Sequence, residues 1–274
     1  MHFAKMHGIG NDFIILDAIQ HPLDGKHLPT LAQRMCDRRF GIGADGIVEV
    51  LPSESADLRM RMFNPDGSEA EMCGNGIRCF ARYAVDTGLF HGDVMRVETA
   101  AGMKIIHFAG DDVQVNMGDP ILEREEIPCT LPGTGPVIHE SLPLGSSSLV
   151  VTCVSMGNPH AVILVDDVAA VNLEAIGPAV ETHPDFPRKT NVHVVQVISR
   201  NEIRMRTWER GAGITLACGT GACASAVACH LNAMTDRSVL AHLPGGDLRL
   251  VWSAEGPVLM TGPAVTVFTG EWPD

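Results

Sequence analysis

The chain has 274 residues, 45% of them hydrophobic and only 5% aromatic, and a formal net charge of −13 from 20 basic against 33 acidic residues. That length buries a sizeable core in one large or two ordinary domains, and the acidic balance without basic clusters argues against nucleic acid or an anionic membrane as partner. No apolar run approaches the roughly 18 residues of a membrane span, Met1 to His7 carry no apolar targeting segment, and eight scattered cysteines read as reduced thiols of a cytoplasmic protein.

Residues 1 to 17 read as a strand, a turn at Gly8-Ile9-Gly10-Asn11-Asp12, and a second strand through Phe13, Ile14, Ile15 and Leu16. Thr30 to Arg38 reads as a short helix capped by Thr30. It runs into Gly41-Ile42-Gly43-Ala44-Asp45-Gly46, which has the letters of a dinucleotide fingerprint. That fingerprint needs a strand before and a helix after; here the strand, Ile47 to Val50, comes after, so a nucleotide site is set aside.

Met72-Cys73-Gly74-Asn75-Gly76 then opens a helix. Ile77, Phe80, Ala81, Ala84 and Val85 fall at helical spacing, Arg78, Arg82 and Asp86 take the other face, and Gly88 marks the stop. Alternating segments at Met95–Glu98, Met103–Ile106 and Val113–Met117 predict antiparallel strands turning at Gly102 and at Gly110-Asp111-Asp112, and Gly118-Asp119-Pro120 breaks the pattern. Pro128 to Pro143 reads as loop. Strands resume at Leu149 to Val154, Ala161 to Asp166, Val192 to Ile198 and near Leu248 to Trp252. Ala217-Cys218-Gly219-Thr220-Gly221 opens a second helix, from Ala222 to about Leu231, whose small apolar residues all round predict burial on every side. After a break at Gly262-Pro263 a last strand covers Val265 to Phe268.

The two cysteine turns keep register with their surroundings. Arg59-Met60-Arg61-Met62-Phe63 answers Arg204-Met205-Arg206-Thr207-Trp208, with an aromatic residue ten positions before each cysteine. Gly10-Asn11 and Gly157-Asn158 each precede an apolar strand that ends in Asp, so Asn11 and Asn158 are matching positions. An internal duplication is the simplest account. It predicts an α+β chain of two domains, residues 1–118 with 263–274 returning to them, and residues 119–262, with an active site in the cleft between two facing thiols.

A cysteine at a helix N-terminus meets unpaired backbone N–H groups and the positive end of the helix dipole, worth up to ~2 kcal/mol, or about 1.5 pKa units towards thiolate. The glycines around it also let the backbone approach a carboxylate. One thiolate and one thiol on opposite faces of a carbon make a base and an acid poised for inversion, with coupled protonation. The remaining cysteines, Cys36, Cys79, Cys129, Cys153, Cys223 and Cys229, read as core.

Other chemistries fit less well. The chain lacks C-x-x-C and H-x-x-x-H spacing for a metal, and none of its four lysines, Lys5, Lys26, Lys104 and Lys189, lies in a phosphate-cradling turn, so the reading is metal-free and without a cofactor. A thiol hydrolase could pair one cysteine with His160 and would leave the second motif idle. A disulfide oxidoreductase would keep its thiols adjacent, and an inert amino-acid-binding module would need no thiols.

Lys5 to Phe13, Phe63 to Glu69, Met72 to Cys79, Ser155 to His160 and Trp208 to Gly221 together resemble the diaminopimelate epimerase family, and the resemblance spans nearly the whole chain. It implies two pseudo-symmetric domains, each a largely antiparallel sheet wrapped around a central helix, a homodimer, and conversion of LL-2,6-diaminopimelate to the meso form in lysine and peptidoglycan-precursor synthesis. Carried over by position, Cys218 is the proton acceptor and Cys73 the donor, with His160 and Glu209 tuning the thiols. Asn11, Gly46, Asn64, Asn158, Asn191, Glu209 and Arg210 hold the substrate, and Gly74-Asn75 with Gly219-Thr220 bind the carboxylate at the reacting carbon. Proline and hydroxyproline racemases share the two-cysteine plan and are the runner-up, but they usually carry a histidine where this chain has Asn75. Two further departures are Gly46, where some members have glutamine, and Phe268, where the family has an interface tyrosine.

Overall fold

The computed structural model describes residues 1–23, 27–254 and 256–273. The chain divides into two compact units, residues 1–116 with 261–274 and residues 117–260, each boundary two residues before the Gly118 and Gly262 breaks. The fold is α+β.

The first unit opens with a hairpin of β1 (His2–Gly8) and β2 (Asn11–Asp17), turned by Ile9 at φ 49° and Gly10 at φ 87°. Two positive φ angles make the tight mirror-image turn that suits twisted strands, and they place Asn11 at the first residue of β2. Helix α1 (Leu28–Met35) follows, then β3 (Gly46–Leu51), β4 (Leu58–Phe63), a short β5 (Glu69–Ala70), helix α2 (Gly74–Asp86) and the meander β6 (Val94–Thr99), β7 (Gly102–Ala109), β8 (Asp112–Asn116).

The second unit repeats this series: β9 (Glu140–Leu144), β10 (Ser147–Ser155), β11 (Pro159–Leu164), α3 (Leu173–Glu181), β12 (Asn191–Ser199), β13 (Glu202–Glu209), β14 (Gly213–Thr215), α4 (Gly219–Leu231), β15 (Ser238–Leu243), β16 (Gly246–Trp252) and β17 (Val258–Gly262). The last strand, β18 (Val265–Glu271), pairs with β1, as β9 pairs with β10.

The pairing types also match. β2 and β3 run parallel, as do β11 and β12; β3 is antiparallel to β4, as β12 is to β13; β4 is parallel to β6, as β13 is to β15. Register makes the correspondence exact to the residue. Phe13 stands opposite Gly46 and Ile47 opposite Phe63, while His160 stands opposite Asn191 and Val192 opposite Trp208. Gly46 and Asn191 are therefore one position in the two copies, and so are Phe63 and Trp208.

The two 13-residue helices α2 and α4 each start right after a cysteine and pack on the strands of their own unit. Ten residues of α4 are buried, and its Gly, Ala, Cys and Ser side chains are small enough for close strand contact on every face. The six cysteines read as core are all buried.

Four sequence expectations need correction. Arg78 is 0% exposed instead of facing solvent: Nη1 donates to the Gly74 carbonyl at 3.2 Å and Nε to the Pro263 carbonyl at 3.3 Å, offsetting the cost of burying a charge. Helix α1 begins before Thr30, because Pro29 suits the first helical turn, and Thr30 makes no cap bond. Glu140 to Pro143 belong to a strand, β9, since β10 supplies an antiparallel partner. Helix α3 went unread because Pro178 lies inside it and Gly177 packs against the Trp208 ring.

Candidate active site

Each unit carries one cysteine turn at the start of its central helix. Cys73 and Cys218 hold the N-cap positions of α2 and α4 in extended backbone, with φ −138° and −126°. An N-cap side chain leans over the helix's unpaired N–H groups, so each sulfur sits at the positive end of a helix dipole.

In the first unit Cys73 is half-buried, and its thiol donates to Asn11 Oδ1 at 3.7 Å. Asn75 Nδ2 donates to the same oxygen at 3.0 Å. Asn11 cannot turn around, because its Nδ2 donates to Asp45 Oδ2 at 2.6 Å and a carboxylate only accepts. Behind Asp45 stands an ionic lattice in which Arg38 bonds both Asp12 and Asp45, and Lys5 pairs with Asp12 at 2.6 Å and donates to the Gly43 carbonyl. Burial works to raise the Asp12 carboxyl; hydrogen bonds from Arg38 and Lys5 overcome it and hold the group at about 2. In the dinucleotide-like motif, Gly43 and Asp45 thus serve this lattice.

Asn64 lies at the end of β4, where its Nδ2 donates to Ser68 Oγ at 3.0 Å. Gly46 has no room for a side chain: a Cβ there would lie 2.8 Å from the Phe63 carbonyl oxygen, so only its backbone is available to a ligand.

In the second unit Cys218 is buried. Its sulfur accepts the Gly221 N–H at 3.3 Å and lies 3.6 Å from Thr220 Oγ1. Burial and the charge of the neighbouring Glu209 push the thiol well above the usual cysteine value, against the opposite pull of Thr220 and the Gly221 N–H. The expectation of a lowered value from the helix dipole therefore fails at this cysteine, because desolvation of a fully buried sulfur outweighs the dipole. Glu209 is fixed by Thr215 Oγ1, which donates to Oε1 at 2.5 Å.

Asn191 gives both ends of its amide to backbone, donating to the Pro159 carbonyl at 2.9 Å and accepting the Arg210 N–H at 3.0 Å. It anchors Arg210, whose exposed guanidinium donates to the Arg188 carbonyl at 3.0 Å. His160 is buried, with Nε2 2.9 Å from Asn158 Oδ1 and Nδ1 2.9 Å from His193 Nε2. It does not touch Cys218 through any of these bonds.

Sequence reasoning missed Asp45, Asp12, Arg38 and Lys5 behind Asn11, and His193 and Thr207 behind His160. Lys5, Asp12 and Asp45 lie in stretches that stand out in the sequence, but nothing in the spacing joins them to Arg38 or joins His193 to Thr207; the folded chain brings each set together. Among the described residues no group of three or more His, Cys, Asp or Glu side chains is arranged to hold a metal ion, and no helix is long and apolar enough to cross a membrane.

The architecture is that of a known class of two-unit α+β proteins: a phenazine biosynthesis protein of the PhzF family from Bacillus anthracis superposes with a TM-score of 0.72, covering 100% of this chain and 99% of that one at 18% identity. Sequence narrows the class. The diaminopimelate epimerase family model matches residues 3–123 and 152–267. Diaminopimelate epimerases of Moorella thermoacetica and Pelotomaculum thermopropionicum are 56% and 53% identical, each covering 100% of this chain and 99% of the relative. The chain belongs to the diaminopimelate epimerase family, a family of isomerases.

Proposed function

We propose that this protein converts LL-2,6-diaminopimelate to meso-diaminopimelate without a cofactor, with Cys218 and Cys73 as the two bases acting on one α-carbon. The observation that carries the reading is the pair of cysteines at matching N-caps of a duplicated frame, in a chain 56% identical to a diaminopimelate epimerase.

In the LL to meso direction the Cys218 thiolate takes the α-proton, so that the C–H bond breaks and an S–H bond forms. The Cys73 thiol then gives its proton to the other face of the carbon and is left as thiolate. The negative charge has moved from one sulfur to the other, and exchange with solvent restores the starting state. Glu209 tunes the Cys218 thiol: its charge holds the thiol protonated in the free site, and pairing with the substrate ammonium offsets that charge and favours the thiolate. Donation of the Cys73 thiol to Asn11 Oδ1 suits a group that starts protonated.

The helix N-termini at Gly74-Asn75 and Gly219-Thr220 bind the carboxylate of the reacting carbon and stabilise the charge that develops there. Asn64, Asn158 and the exposed Arg210 hold the rest of the substrate, Arg210 gripping the distal carboxylate in bidentate fashion. Exposed Val265, Val267 and Phe268 on β18 support a homodimer, which sedimentation would test. The overall reading places the protein in the cytoplasm, where its thiols stay reduced.

The test is incubation of reduced protein with LL-diaminopimelate in deuterated water. Inversion with one deuterium gained at the inverted carbon is the expected result; no exchange with this substrate, but inversion of proline or hydroxyproline, would overturn the substrate assignment.

A further inference from the structure

Three buried positions differ in kind between the two copies. In the first unit Phe13, Val48 and Met62 form an apolar layer under the cysteine turn. Register equates them with His160, His193 and Thr207, since Phe13 and His160 face Gly46 and Asn191, while Val48–Met62 and His193–Thr207 are direct cross-strand pairs. All three replacements in the second unit are polar and almost wholly inaccessible.

They form a single hydrogen-bonded row. Thr207 Oγ1 lies 3.0 Å from His193 Nδ1, His193 Nε2 lies 2.9 Å from His160 Nδ1, and His160 Nε2 lies 2.9 Å from Asn158 Oδ1. The amide oxygen only accepts, so His160 carries its proton on Nε2. His160 Nδ1 must then accept from His193 Nε2–H, and His193 Nδ1 from the threonine hydroxyl. Each ring has one donor and one acceptor only when neutral, so the row is satisfied with both rings uncharged. Burial holds both rings neutral, taking His193 down to about 3 and His160 well below the usual range with help from His193 and Arg210.

His193 also touches the cysteine turn. A Cβ on Gly221, the residue whose N–H bonds Cys218, would lie 2.7 Å from Nε2 and 2.9 Å from Nδ1 of this ring. At the matching Gly76 a Cβ would meet Met62 Sδ at 3.5 Å and Phe13 Cε1 at 3.6 Å, which is ordinary contact.

The two matched asparagines end up reversed. Asn11 commits Nδ2 to Asp45 and offers its oxygen to the Cys73 thiol. Asn158 commits its oxygen to His160 and offers Nδ2.

We infer that His193 and Thr207 are positioning residues for the epimerisation: they fix His160 as its Nε2–H tautomer, which holds Asn158 with its amide N–H groups turned out as donors to an acceptor oxygen of the substrate. This rests on the epimerase function proposed above. A second copy of the apolar layer would leave the Asn158 amide free to rotate.

The experiment compares the wild type with His193→Leu, His193→Gln and Thr207→Val. Ring nitrogen-15 shifts of histidine-labelled protein report tautomers, and kcat and KM on LL-diaminopimelate report function. The wild type should show His160 as a single neutral Nε2–H tautomer. His193→Leu, a change towards the Val48 arrangement, should mix the tautomers of His160 and lower kcat/KM by about tenfold to a hundredfold, the cost of leaving one buried partner unsatisfied. His193→Gln, which can still donate to His160 and accept from Thr207, should recover to within about threefold. Wild-type kinetics with an unchanged His160 tautomer in His193→Leu would overturn the assignment, as would a folded His193→Gln no better than leucine. Should His193→Leu not fold, Thr207→Val removes only a hydroxyl, and an unchanged tautomer with unchanged kinetics there is equally fatal. Should the wild type not turn over this substrate, the function proposed above falls, and the tautomer comparison still decides whether the row fixes His160.

Discussion

Cys73 and Cys218 cap helices of the same length from the same backbone conformation, yet their surroundings differ in chemical kind. The half-buried Cys73 stands in front of an ionic lattice, with Asp45, Asp12, Arg38 and Lys5 behind Asn11, over an apolar layer. The buried Cys218 stands beside one carboxylate, Glu209, over a row of neutral hydrogen bonds. Duplication supplied one frame twice, and side-chain replacement within it made the two thiols unequal. An inversion needs a proton acceptor on one face and a donor on the other, and identical halves would have no preference for either assignment.

The largest expected effect comes from removing either sulfur. Cys73→Ala and Cys218→Ala should each lower epimerisation by roughly 10²–10⁴-fold, the usual worth of a positioned acid or base. The thermal midpoint of Cys73→Ala, at the more open position, should move less than that of Cys218→Ala. Retained turnover in either variant would break the two-base reading.

Acid should separate the halves next. His193 has a folded value of about 3 against 6.5, so the second unit loses stability as pH falls below 6.5 towards 3. Asp12 is depressed from 3.8 to about 2, so its contribution, on the order of 2 kcal/mol, is complete above about pH 5 and disappears as pH falls through 2. In urea titrations from pH 7 down, His193→Leu should shrink the earlier loss, leaving the part that buried His160 carries, and Asp12→Asn should remove the later one. Identical pH profiles in both variants would contradict the comparison.

Gly46 and Asn191 sharpen it at a single matched position. Gly46→Ala drives a Cβ against the Phe63 carbonyl and should cost about 1–3 kcal/mol by urea unfolding. Asn191→Ala fits sterically and should act mainly by releasing Arg210, raising KM more than it lowers stability. The smallest effect is expected from Asp45→Ala. Without its acceptor the Asn11 amide can turn, and kcat should fall by roughly tenfold while KM changes little. Unchanged kcat would mean that the lattice does not hold Asn11 for the reaction.

The cysteine turns, the helices after them, most strands and the family were legible in the sequence because they depend on local rules: glycine turns, apolar periodicity and a repeat kept in register. Asn11 and Asn158 were legible for the same reason, as matching positions of the repeat, whereas Glu209 and Arg210 entered only through the family resemblance. The burial of Arg78 was not, because helical spacing puts it among the polar positions and only the Gly74 and Pro263 carbonyls make a buried site tolerable. Nor was the row from Thr207 to Asn158, whose members come from three strands and the turn before β11 and carry no joint spacing signal. The sequence by itself determined that there would be two copies of one frame, each with a cysteine at a helix start. Tertiary structure alone decided how the two thiols differ, because a sulfur's proton affinity follows from desolvation and from charges and hydrogen bonds that sheet register brings beside it from distant parts of the chain.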